Sequence, residues 1–195
     1  MLDTIHKRKL KVHSVFYSIQ SEGFNSGRAT VFIKLFNPNL AYNRKHYNIL
    51  STKDIVDSCI EKQSKKNEIK CDFVQILGGD TTPLRDLYCL VTCLRHRGFK
   101  YIALETDGAD DLLTGIFDWV TITPDSNNNF YIHKKNNPNE IKYIVNEYFT
   151  PVVIRNSKCG LIYLQPEIGN RESFRKAVRI VKENPKWMLS LKTRI

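Results

Sequence analysis

The chain has 195 residues, of which 42% are hydrophobic and 26% charged, as in ordinary soluble globular proteins. No apolar run approaches the roughly 20 residues of a membrane span, and the N-terminal sequence MLDTIHKRKLKV lacks the apolar stretch of a secretory signal. The formal net charge of +10 leaves a nucleic-acid partner open. We therefore expect one domain over residues 1–195, intracellular (cytoplasmic or otherwise), without a signal peptide or a membrane partner.

The N-terminal part of the chain predicts two strands joined by a turn. Lys9 to Tyr17 alternates weakly and ends in apolar residues, which favours a strand. Gln20 to Gly27 is predicted as a turn, with glycines that release the backbone. Ala29 to Phe36 is almost continuously apolar, as in a buried strand. A polar loop from Asn37 to Tyr47 follows.

The middle of the chain predicts two helices that alternate with strands. Asp54 follows Ser51 by three residues, which is the spacing of a capping box and predicts a helix start. Asp72 to Leu77 is the next predicted strand. A second helix is predicted to begin at Thr82-Pro83, with proline at its first position, and to end at Gly98.

The C-terminal half adds four strands and one helix. The predicted strands are Tyr101–Glu105, Asp118–Thr123, Ile141–Val145 and Leu161–Leu164, with a polar loop from Asp125 to Glu140. Asn170 is predicted to cap a last helix whose apolar face contains Phe174, Ala177, Val178 and Val181. Alternating strands and helices indicate an α/β fold with a mostly parallel sheet. Three long helices for about six core parallel strands predict an incomplete (β/α) barrel.

The charged residues and the cysteines carry weaker signals. Basic residues are scattered, and no aromatic and basic interleaving typical of an RNA-binding module is present. We therefore favour solvated surface charge over nucleic-acid binding. Five cysteines, an odd number, argue against a disulfide framework. Cys89 and Cys93, four residues apart on a predicted helix, are interpreted as buried thiols.

Several short motifs follow one another in a fixed order. They are IQSEG at 19–23, Asn39-Leu40, Gly78-Gly79-Asp80, ETDG at 105–108, LQPE at 164–167 and WMLSLKT at 187–193. Together they resemble the 7-carboxy-7-deazaguanine synthases, a branch of the radical SAM enzymes, whose corresponding motifs include IQGEG, GGE, ETNG and WRLSLQT. The resemblance covers roughly residues 12–193. It implies that the partial barrel is of the radical SAM type.

The resemblance also identifies what this chain lacks. In the family, a loop with three cysteines holds an iron–sulfur cluster, and the corresponding residues here are Pro38, Tyr42 and Lys45. Such clusters are held by cysteine thiolates, whereas proline has no ligand atom and lysine is a cation. We therefore expect no 4Fe-4S cluster, no metal site, no radical SAM lyase activity and no catalytic residues, and we do not expect SAM binding.

Candidate binding residues follow from the same resemblance. The Gln and Glu of the family turn contact a purine-like ring, which implies this role for Gln20 and Glu22. The family arginine that contacts the substrate carboxylate corresponds to Lys34, which keeps the charge but loses the planar fork. Gly78 and Gly79 would let a ligand approach the backbone. The structural alternative is that Glu22 caps a turn, Gln20 satisfies a strand edge and the glycines only form a turn.

Two functions remain open at this point. The first is a cluster-less homologue related to queuosine and deazapurine synthesis, which binds a purine- or pterin-like heteroaromatic ligand or acts as a regulatory protein, with a protein partner or as a homodimer. The alternative is a basic structural or nucleic-acid-associated protein that reuses the scaffold. Ligand, partner and oligomeric state do not follow from the sequence.

Overall fold

A computed structural model describes residues 5–37, 46–63, 70–78, 82–111, 114–154 and 159–192. The strands within these ranges are β1 (Lys9–Ile19), β2 (Ala29–Leu35), β3 (Asn48–Ser51), β4 (Phe73–Leu77), β5 (Tyr101–Thr106), β6 (Trp119–Ile122), β7 (Glu140–Val145), β8 (Ile162–Pro166) and β9 (Met188–Leu189). The helices are α1 (Thr52–Lys62), α2 (Leu84–His96) and α3 (Arg171–Glu183). None of the described helices is long and apolar enough to cross a membrane.

The described strands form one sheet in the order β3-β1-β2-β4-β5-β6-β7-β8-β9. Neighbours from β2 to β9 run parallel, whereas β1 is antiparallel to both β2 and β3. The predicted α/β fold with a mostly parallel sheet and three helices is confirmed. The parallel part has one strand more than the six expected, because the two-residue strand β9 extends it.

The two faces of the sheet have different compositions because successive strand residues point to opposite sides. One side of β2 carries Val31, Ile33 and Leu35, which are buried in a hydrophobic core with α1 and α2. A second core joins β6, β7 and β8 to Ala177 and Ile180 of α3. The helices therefore cover one face of the sheet, and the opposite face is left to turns and polar side chains.

Local signals located most elements to within a residue or two. The capping box is present, since Ser51 Oγ accepts from the Asp54 N–H at 3.1 Å and Asp54 Oδ2 accepts from the Ser51 N–H at 3.3 Å. Pro83 lies at the N-cap of α2 rather than at its first helical position. The expected strand residue Asp118 precedes β6, and Glu140, placed in a loop, is the first residue of β7.

The predicted core face of α3 is partly wrong. Phe174 is 44% exposed, and the buried residues of the helix are Ser173, Ala177 and Ile180. The Ser173 hydroxyl donates to the Val145 carbonyl oxygen of β7, which turns the side with small residues toward the sheet. Strands β3 and β9 were not predicted, because segments of four and two residues are too short for a periodic pattern.

Candidate functional site

The turn that follows β1 is closed by its own backbone. The Gln20 N–H donates to the Arg28 carbonyl oxygen and the Gly27 N–H donates to the Gln20 carbonyl oxygen, both at 2.8 Å. Gly23 has a φ of +69°, and a Cβ atom at this position would overlap Glu140 Oε1. Glycine is therefore needed both for the left-handed backbone and for the close approach of the turn to β7.

Contacts to distant segments hold this turn on the open face of the sheet. The Phe24 N–H donates to Glu140 Oε2 at 2.9 Å, and the Gly23 N–H donates to Ser190 Oγ at 3.1 Å. The Phe24 ring stacks on Trp119 of β6 with ring centroids 4.5 Å apart. The turn thus crosses from β1 to the far side of the sheet, where it contacts β6, β7 and the residue after β9.

A chain of alternating charges lies under the turn. Glu22 Oε2 is 3.1 Å from Lys142 Nζ, and Glu22 Oε1 is 3.0 Å from Lys192 Nζ. Lys142 Nζ also donates to Glu105 Oε1 at 2.7 Å, and the Thr123 hydroxyl donates to the same oxygen at 3.0 Å. The side chains of Lys142 and Glu22 are only 2% and 9% exposed. We call Glu105, Lys142, Glu22 and Lys192 the charge chain.

The electrostatics of the charge chain keep its centre ionised. Burial by itself raises the pKa of Glu22, but the charges of Lys142 and Lys192 outweigh it, so that this pKa lies below its ordinary value. Burial likewise lowers the pKa of Lys142, but Glu105 and Glu22 outweigh it and raise this pKa. Two carboxylates thus hold a buried ammonium group between them.

Glu140 lies beside the charge chain and titrates in the other direction. Burial raises the pKa of its carboxyl group, and the Phe24 N–H and the Thr121 hydroxyl, which donates to Oε1 at 2.8 Å, lower it only in part. Glu140 therefore links Phe24 of the turn to Thr121 of β6 by two hydrogen bonds, although burial disfavours its ionised form.

The structure does not bring the side chains of Gln20 and Glu22 together. Gln20 is buried and donates from Nε2 to Gln75 Oε1 of β4 at 3.4 Å, whereas Glu22 faces the lysines of the charge chain. The two side chains have different partners because the backbone bends at Glu22 and Gly23 instead of staying extended. For Gln20 this matches the alternative of a locally satisfied polar group.

Lys34 and Gly78 lie at the carboxyl ends of the neighbouring strands β2 and β4. Lys34 is in register with Leu77, the residue before Gly78. Gly78 has a φ of +75°, and its N–H donates to the Glu105 carbonyl oxygen at 3.0 Å. Burial lowers the pKa of Lys34, and the positive charge of Lys192 lowers it further. The charge of Lys192 thus acts on Lys34, while its Nζ lies 3.0 Å from Glu22 Oε1.

Sequence reasoning missed the remaining members of the charge chain, Glu105, Lys142 and Lys192. One signal was available for Lys142: it is the single charged residue of the predicted apolar strand Ile141–Val145, which implies a buried ion pair. Glu22 and Glu105 lie in the motifs IQSEG and ETDG, but the sequence offered no signal that they pair with Lys142, which is 120 and 37 residues further along the chain.

A cavity of about 510 Å³ adjoins the charge chain, because Lys192 forms part of its wall. Its other lining residues follow the end of β8 or belong to α3 and the C-terminal segment: Pro166, Glu167, Ile168, Gly169, Asn170, Arg171, Phe174, Arg175 and Leu191. Its volume is within the range of small-molecule sites. Ligands of parallel sheets bind outside the carboxyl ends of the strands, which is where this cavity lies.

The residues implied as cluster ligands do not fit a cluster. Pro38, Tyr42 and Lys45 lie outside the described residues, as does Gly79, but their side-chain chemistry is defined by the sequence. A single phenol oxygen, a proline and an ammonium group do not replace three thiolates. Among the described residues, no group of three His, Cys, Asp or Glu side chains is placed to hold a metal ion. We assign no chemistry to a cluster here.

Comparison with known proteins agrees with the motifs. The 7-carboxy-7-deazaguanine synthase of Bacteroides thetaiotaomicron is 29% identical over 187 residues, which cover 94% of this chain and 94% of that protein. The enzyme of the same name from Aquifex aeolicus is 27% identical over 191 residues, covering 89% and 85%. No protein-family model matches.

The crystal structure of QueE from Escherichia coli matches the fold with a TM-score of 0.72, at 20% identity and over 95% of each chain. The likeness extends over nearly the whole of both chains. The chain is therefore similar in sequence to the 7-carboxy-7-deazaguanine synthases over most of its length, and it has the radical-SAM-type fold that its motifs predicted.

Proposed function

We propose that this protein is a cluster-less relative of the 7-carboxy-7-deazaguanine synthases that binds a small heteroaromatic acid, related to the deazapurine pathway, without radical SAM chemistry. The observation that carries the proposal is the position of Glu22. Its carboxylate is held between Lys142 and Lys192 on the open face of the sheet, next to a cavity. A binding or regulatory role is consistent with a chain that keeps Gln20 and Glu22 of the family motif and has no cysteine at the three cluster positions.

The loss of the cluster rests on the residue types at three positions. Pro38, Tyr42 and Lys45 offer no thiolate, and the chemistry of a radical SAM enzyme belongs to its cofactor rather than to the polypeptide. We expect anaerobic reconstitution with iron and sulfide to produce no charge-transfer absorption. Iron and acid-labile sulfide bound in stoichiometric amounts would overturn this part of the proposal.

The ligand class follows from the polarity of the open face. Lys34 and Lys192 provide two neighbouring cations that suit a carboxylate. Glu22 can accept from ring N–H groups, although it already shares its charge with two lysines. The ligand that fits these groups is a purine-, pterin- or deazapurine-like ring with one acidic substituent. The names of the relatives point to the same class of compound.

The ligand proposal is tested by calorimetry and thermal shift with guanine, pterins and deazapurine carboxylates. Lys34→Met and Lys192→Gln should weaken binding of the carboxylates more than binding of the uncharged rings. Glu22→Ala should weaken both. Glu172→Gln, which removes an exposed carboxylate on α3, is the matched control and should bind like the wild type. Failure of every compound to bind, or equal binding by Glu22→Ala, would refute the proposal.

A further inference from the structure

The outward side of α3 carries a group of cations without carboxylate partners. They are Arg171, Arg175, Lys176, Arg179 and Lys182, with Glu172 and Glu183 as the acidic residues of the helix. Within the part of the chain that the structure describes, none of the five is within ion-pair distance of a carboxylate; Lys176 Nζ donates instead to the Asn146 carbonyl oxygen at 2.8 Å.

Two arginines at the C-terminal end of helix α2, by contrast, are paired with carboxylates. Arg95 pairs with Asp118 at 3.0 Å, and Arg97, just after the helix, pairs with Asp57 at 2.9 Å. No carboxylate of the described ranges forms such an ion pair with the cations of α3. The charge on this helix is therefore available to an anionic partner.

The same surface contains grooves. Three cavities of about 460 to 510 Å³ lie along α3, and Arg175 lines all three. Phe174 lines two of them and exposes 44% of its surface. Arg171, Arg175 and Arg179 follow one another at intervals of four residues, which is about 6 Å along a helix axis, so they lie along one side of it. A row of cations thus runs beside an exposed aromatic ring.

We propose that this surface, Arg171 to Lys182 on the outward side of α3, binds single-stranded nucleic acid. The arginines contact successive phosphates, and Phe174 stacks on an unpaired base. Proteins that bind single strands combine a row of cations with exposed aromatic rings on which bases stack. The net charge of +10 also favours a polyanionic partner. A duplex fits less well, because its bases are not available for stacking on Phe174.

This surface borders the cavity beside the charge chain, whose wall includes Arg171, Phe174 and Arg175. The proposal is nevertheless distinct from the ligand proposal, because none of Gln20, Glu22 and Lys34 belongs to this surface. The sequence alone favoured solvated charge because its basic residues are scattered. The folded helix aligns one group of them on a single side, which a linear charge count does not reveal.

The test measures fluorescence anisotropy of a labelled oligo(U) of about 12 nucleotides, within the site sizes of single-strand binders, with oligo(dT) and a duplex as further probes. Affinity should fall with salt by about 0.7 log units per phosphate contact and per tenfold change in salt. Arg175→Ala and Arg179→Ala should each reduce this slope by about that amount. Arg85→Ala on α2, which also removes an exposed arginine, is the matched control and should leave the slope unchanged.

The aromatic contact has its own readout. Phe174→Ala should weaken oligo(U) binding about fivefold or more and should not affect binding of polyphosphate, which has no bases. Absence of oligo(U) binding at about 50 mM salt, or an equal effect of Arg85→Ala, would overturn the proposal. Competition by polyglutamate as effective as by oligo(U) would also overturn it and would indicate an acidic protein partner instead.

Discussion

Removal of Lys142 is the sharpest test of the charge chain. Lys142→Met keeps the length of the side chain but leaves Glu22 and Glu105, 9% and 18% exposed, without their shared cation. Breaking a buried ion pair from one side costs about 3–5 kcal/mol. Because Glu22 keeps Lys192 and Glu105 keeps the Thr123 hydroxyl, we expect the lower limit, about 3 kcal/mol.

For a chain of this size the loss corresponds to a melting temperature lower by about 6–12 °C. Circular dichroism melts at neutral pH measure it, and urea titrations followed by the fluorescence of the two tryptophans provide an independent measure. The triple variant Glu22→Gln, Lys142→Met, Glu105→Gln removes all three charges. It should recover most of the loss, because replacing a buried ionic group as a whole is close to neutral.

The pKa of Glu22 determines how the stability of the protein should change with pH. In the wild type, the lowered pKa of Glu22 contributes stability above its ordinary value of 4.5, and this contribution disappears as the pH falls below that value. In Lys142→Met, only Lys192 still opposes the effect of burial on Glu22, so the pKa of Glu22 should rise. The stability difference from the wild type should therefore narrow from pH 7 toward about pH 5. A loss below about 1 kcal/mol, a loss independent of pH, or no recovery in the triple variant would refute the reasoning.

Two further predictions concern the turn. Gly23→Ala should destabilise the protein more than Gly27→Ala. Both glycines have positive φ, for which left-handed strain costs about 1–2 kcal/mol, but only a Cβ atom at position 23 meets Glu140. Equal melting temperatures of the two variants would contradict the contact with Glu140. Glu140→Gln removes a carboxyl group whose pKa is raised by burial. The wild type should therefore gain stability relative to Glu140→Gln as the pH falls from 7 toward 4.5, and parallel stability curves from pH 7 to 4.5 would show that Glu140 titrates normally.

The elements that the sequence predicted well depend on local physics. The apolar run of β2, the capping box at Ser51 and the glycine after α2 each act within a few residues, so their patterns can be read from the chain itself. The order of motifs from IQSEG to WMLSLKT was also sufficient to identify the family resemblance, which the comparisons with the synthases confirm. The absence of cysteines at 38, 42 and 45 is likewise a property of the sequence.

Only the tertiary structure decided which residues form the site. Glu22, Glu105, Lys142 and Lys192 come from four separate segments, and no local periodicity relates them. Their meeting depends on the strand order, on the bend at Glu22 and Gly23 and on Glu140, which holds the turn across the sheet. Burial then makes these charges depend on one another, because an ammonium group that is 2% exposed requires nearby carboxylates. The residue types are given by the sequence, but their pairing is a consequence of long-range folding.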